Sequence, residues 1–86
     1  MHEMSIAMDV CRIAEEKIGS DHLTELTAVA VEVGADAGIE PDSLEFCLGV
    51  LLTQPPFHNA RPILLRVPGD VLRVSYLEVD DGSPDN

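Results

Sequence analysis

The stretch Leu23–Gly34, LTELTAVAVEVG, decides the fold. Val29, Val31 and Val33 fall on one side of an extended chain, and Leu26, Ala28 and Ala30 on the other. Side chains alternate between the two faces of a strand, so a run that is apolar on both faces reads as a strand with neighbours on either side. A central strand needs partners and a cover, and the flanking sequence supplies both.

Upstream, Ala7, Cys11, Ala14 and Ile18 recur at helical spacing, flanked by Ile6, Val10 and Ile13, while Asp9, Arg12, Glu15 and Glu16 take the other side. This predicts an amphipathic helix from Met4 to Ile18, stopped by Gly19. Downstream, GADAGIEPDSLEF is a glycine-bearing loop and a helix start. Pro41 suits the first helical position and Asp42 the positive end of the helix dipole. Leu44, Cys47, Leu48 and Leu51 continue at helical spacing to about Leu52, where TQPPFHNARP breaks the pattern. Pro62–Val67 and Val71–Val79 read as strands, and the VPGD between them reads as a tight turn closing a β-hairpin. The expected fold is α+β: two helices packed on a three-stranded sheet, in the order α-β-α-β-β. It forms a single domain over residues 1–79, with residues 80–86 as an acidic flexible tail.

Composition narrows the function. The 86 residues are 45% hydrophobic but only 3% aromatic, so the core is aliphatic and small. A core of this size gains from a bound ligand or from homodimerisation. Sixteen acidic against five basic residues give a net charge of −11, which disfavours nucleic acid and anionic membrane surfaces and favours cations or basic proteins as partners. No apolar stretch reaches the roughly 18 residues of a membrane span, and the charged first twenty residues do not resemble an export signal. A cytoplasmic location follows as the expectation, with Cys11 and Cys47 as reduced, buried thiols. No nucleophile–base pair, phosphate loop or carboxylate dyad is present in the pattern, so an enzyme is not expected.

The amino terminus, MHE, is the candidate site. Histidine is too large a second residue for methionine removal, so Met1 is expected to stay. The Met1 amine and the His2 imidazole are two nitrogen donors, and the intervening His2 amide, once deprotonated, closes fused chelate rings. The Glu3 amide or carboxylate lies within reach as a fourth ligand. A nitrogen-rich set near one plane suits Ni(II) or Cu(II), whereas zinc favours tetrahedral sites and magnesium favours oxygen. The plainer alternative is that His2 is incidental at a helix start. His22 and His58 read as exposed loop histidines, and the Asp80, Asp81 and Asp85 carboxylates as a solvated terminus.

Several segments together carry a resemblance. MHEMSIAMDVCRIAEEKI is similar to the start of the HypA/HybF family of hydrogenase nickel-incorporation proteins. TAVAVEVGADAGIEPDSLEF resembles that family's strand, glycine loop and second helix through Val31, Gly34, Gly38, Pro41, Leu44 and Phe46, and RPILLRVPGDVLRVSYLEVDD resembles its last two strands. The resemblance implies a nickel metallochaperone for [NiFe]-hydrogenase maturation, in some organisms serving urease too. It would hold Ni(II) through Met1, His2 and Glu3 and pass it to a maturation GTPase or to the hydrogenase large subunit. The family carries a zinc domain with two CxxC pairs between its last two strands. Here only VPGD stands there, so no structural zinc is expected. A member without that domain could instead act as a protein-interaction or regulatory module that carries no metal.

Overall fold

The computed structural model describes residues 2–80. Met1 and residues 81–86 lie outside the described residues, so the expected metal ligand Met1 and all of the expected acidic tail but Asp80 do too. The element order is α1 (Glu3–Ile18), a 3₁₀ segment (Ser20–Glu25), β1 (Leu26–Gly34), α2 (Pro41–Leu52), β2 (Arg61–Val67) and β3 (Leu72–Val79).

The three strands form one sheet in the order β2-β1-β3, with β1 parallel to β2 and antiparallel to β3. LTAVAVEVG is therefore the central strand that its two apolar faces predict. Val29, Val31 and Val33 are buried under Ile6, Val10 and Ala14 of α1 and Leu44, Leu48 and Leu52 of α2. Leu64 of β2 and Val74 and Leu77 of β3 pack against the same cluster, so both helices cover one face. On the opposite face Ala28 and Ala30 are also fully buried. Ala30 is paired with Ile63 on one side and Tyr76 on the other, and a methyl group is small enough to vanish between such neighbours.

The hairpin expectation is corrected. β2 and β3 do not pair, because β1 lies between them. VPGD is locally a turn, with Gly69 at φ +86°, but it carries the chain across the end of β1. Gly34 N–H donates to Val71 O (2.6 Å), Ala35 N–H to Val67 O (2.9 Å) and Asp36 N–H to Gly69 O (2.9 Å), fastening the crossing to the strand it passes. The reason is the apolar character of β1: a β2–β3 hairpin would leave one of its edges unpaired, while the crossing gives it a neighbour on each side. The crossing passes so close that a Cβ on Gly34 would collide with Gly69 O and Val71 N.

The other boundaries follow local chemistry. α1 ends where Gly19 N–H bonds Glu15 O at 2.8 Å. The strand start expected at Leu23 moves to Leu26, because Ser20–Glu25 winds into a 3₁₀ segment that buries Leu23. α2 begins at Pro41, and the side chain of Glu40 accepts the Asp42 N–H at 2.9 Å.

Candidate functional site

His2 caps the amino-terminal end of α1. Its backbone is extended (φ −91°, ψ 116°), its carbonyl accepts the Ile6 N–H at 3.2 Å, and its side chain makes no capping bond. The residue is exposed. Glu3, expected just before the helix, is its first residue. The first N–H groups of a helix have no acceptor within it, so this end presents unpaired donors and a partial positive charge.

Glu3 makes the contact that organises this end of the molecule. Its Oε2 accepts the Glu40 N–H at 3.1 Å, across 37 residues of sequence. Glu40 in turn caps α2 through Asp42. The starts of the two helices are thus tied through one carboxylate, and Glu3, Glu40 and Asp42 set negative charge against two positive helix ends. The Glu40 N–H, then Glu3's own amide, and more weakly His2 hold the Glu3 carboxyl below the usual 4.5.

Among the described residues no group of three or more His, Cys, Asp or Glu side chains converges as a metal cage. His22 joins no such cluster: its Nδ1 lies 2.9 Å from Glu25 Oε2, a pairing that raises its pKa above the usual 6.5. His58 is exposed in the segment between α2 and β2. Cys11 and Cys47 are free thiols, half-buried against the core. Burial pushes the Cys11 thiol up to about 11, which keeps it protonated and a poor nucleophile at neutral pH.

Sequence spacing did not point to Glu40. It lies far from Glu3 along the chain, and its only signal was a position just ahead of Pro41 and Asp42 at a helix start. The fold supplies the proximity, since α1 and α2 pack side by side on the same face of the sheet.

Among the described residues no helix is long and apolar enough to cross a membrane. Residues 1–72 match the family model described as hydrogenase/urease nickel incorporation, metallochaperone, HypA. The chain is 33% identical over 69 residues to the hydrogenase maturation factor HypA of Albidiferax ferrireducens, covering 80% of this chain and 61% of that protein. It is 38% identical over 69 residues to the protein of the same name from Geobacter metallireducens, covering 80% and 60%. A shorter match to the HypA of Chlorobium phaeobacteroides reaches 45% over 47 residues, covering 55% and 42%. The chain spans about three fifths of the length of the first two relatives. Residues 1–72 run from the amino terminus through the crossing that joins β2 to β3, and over that span the chain is a member of the HypA family of nickel-incorporation metallochaperones.

Proposed function

We propose that the protein carries Ni(II) as cargo at its amino terminus and delivers it during [NiFe]-hydrogenase maturation, to a maturation GTPase or to the hydrogenase large subunit. The Met1 amine, the His2 amide and imidazole, and Glu3 are the proposed ligands. The observation that carries the reading is the exposed His2 at the open end of α1, in a chain of this family. Binding through first-turn amides breaks no helix hydrogen bond, because those groups have no intrahelical acceptor. The Glu3 carboxylate is held by the Glu40 N–H and by its own amide, so binding through either Glu3 donor loosens that contact. A cation at a helix amino terminus is opposed by the dipole, and the deprotonated amides together with Glu3, Glu40 and Asp42 offset that.

Metal ligation needs both the amine and the imidazole nitrogens free of protons, so acid competes with Ni(II) for the site. The test is calorimetric titration of Ni(II) into protein with a native, tag-free amino terminus, beside His2→Ala. Near-stoichiometric binding, lost in the variant and weakened at pH 6, supports the reading. Binding that is weak and unchanged by His2→Ala refutes it.

One observation favours a second reading. Four residues join β2 to β3, and the chain covers about 60% of its relatives' length. A member with so short a connection could occupy the partner surface and regulate maturation without metal. In that case His2→Ala leaves partner binding and hydrogenase activity in cells intact.

A further inference from the structure

The sheet has two outer edges, and they differ. β2 carries Pro62, which lacks an N–H, and the charged Arg61 and Arg66, features that blunt an edge. β3 has no proline and carries Leu72, Tyr76 and Val79, exposed by 41%, 42% and 52%. Beside it runs a shallow groove against α1, lined by Ile13, Lys17, Leu72, Val74 and Tyr76.

The backbone of β3 fixes which groups its free edge presents. Val71 O accepts from Gly34 N–H, and Asp80 N–H donates to Glu25 O, so both residues turn toward β1. Pairing with β1 skips a residue at Ser75: Tyr76 faces Ala30 while Val74 faces Val31. Alternation from each end then turns Arg73, Tyr76 and Glu78 toward β1, and Leu72, Val74, Leu77 and Val79 outward. The same bulge puts Leu72, Val74, Leu77 and Val79 on the helix-covered face, and Arg73, Tyr76 and Glu78 on the open face.

We propose that β3 is a homodimerisation edge, pairing antiparallel with β3 of a second copy about a two-fold axis between Ser75 and Tyr76. The sequence LRVSYLEV is self-complementary in this register. Leu72 meets Val79, Arg73 meets Glu78, and Val74 meets Leu77, so apolar residues face apolar and opposite charges face each other. The pairs also agree in hydrogen-bonding direction and in sheet face. That agreement depends on the bulge, since in a regular strand residues 74 and 77 would lie on opposite faces. Arg73 already donates through Nε to Glu32 at 2.9 Å, and its terminal nitrogens remain to reach the partner's Glu78. The product is a continuous six-stranded sheet with the two α1 helices flanking the seam. The charge of −11 on each chain opposes association, so the dimer strengthens as salt screens the repulsion.

The experiment is sedimentation velocity on the full chain at concentrations up to the order of 100 µM in moderate salt, for the wild type, Glu78→Arg and Arg73→Glu. The wild type is expected to sediment as a dimer of twice 9.3 kDa. Each variant alone sets like charges opposite each other and weakens self-association by about tenfold or more. An equimolar mixture of the two restores both charge pairs and re-forms the dimer. Circular dichroism checks that each variant is folded. If Arg73→Glu unfolds by losing Glu32, amide exchange on the wild type decides instead, with Val74, Leu77 and Val79 gaining protection as concentration rises. A wild type that remains monomeric, a dimer indifferent to Glu78→Arg, folded variants that fail to pair when mixed, or outward amides whose exchange ignores concentration would each overturn the proposal.

Discussion

Replacing Gly34 by alanine should damage this fold far more than one methyl group suggests. The added Cβ would stand closer than any real van der Waals contact to Gly69 O and Val71 N, both backbone atoms that cannot rotate away. The crossing would have to lift off the end of β1. It is fastened there by the hydrogen bonds from Gly34, Ala35 and Asp36, at 2.6, 2.9 and 2.9 Å. Each is worth about 0.5–1.5 kcal/mol net, and overpacking adds about 1–3 kcal/mol. Partial loss of the bonds plus the collision gives an expected cost of about 2–5 kcal/mol. A chain of this size has about 4–13 kcal/mol to lose, and each kcal/mol moves Tm by about 4–8 °C. Thermal unfolding followed by circular dichroism should therefore show Tm lower by at least about 8 °C. The control is the same substitution at Gly49, inside α2, where a Cβ would meet nothing within 4 Å. There alanine should stabilise by about 0.5–1 kcal/mol through its higher helix propensity. A Gly34→Ala protein melting within about 3 °C of wild type would refute the close crossing.

Leu48 is fully buried in α2, so Leu48→Ala should cost about 2–5 kcal/mol in urea unfolding, while Phe46→Ala, at a site 72% exposed, should stay within about 0.5 kcal/mol. For Glu3, a folded pKa below the ordinary 4.5 means its contribution is present above that value and is lost as pH falls through the folded pKa. The stability gap between wild type and Glu3→Gln should therefore narrow as the pH is lowered through and below 4.5 in urea titrations at each pH, and a constant gap would count against the Glu3–Glu40 tie.

The elements were legible because their signals are local. Pro41 and Asp42 mark a helix start wherever they stand, and of the four residues at helical spacing Leu44 and Leu48 are buried while Cys47 and Leu51 are half-buried against the core. The doubly apolar β1 announced its central place. Strand order was less legible. VPGD has the chemistry of a hairpin turn, and only the need of β1 for a second neighbour turns it into a crossing. The apolar run starts the expected strand at Leu23, and a single buried leucine in the 3₁₀ segment Ser20–Glu25 leaves no periodicity to detect. At the site, His2 and Glu3 could be named from the sequence. The Glu3–Glu40 contact could not, because no spacing rule reaches across 37 residues.

The central position of β1 has a consequence for how the molecule comes into being. The Thr27 hydroxyl donates to Glu78 O at 3.1 Å across 51 residues, and β1 finds both its neighbours among later segments of the chain. During vectorial synthesis α1 emerges before β1, β2 and β3, with no completed sheet to rest on. β1 gains its first neighbour only when β2 leaves the ribosome, and its other edge stays unpaired until β3 follows. Contacts so distant in sequence are slow to form, and an unpaired apolar strand is the kind of surface that chaperones hold. The helix proposed to carry nickel at its start lies earlier in the chain than β1, β2 and β3, the strands it comes to rest on.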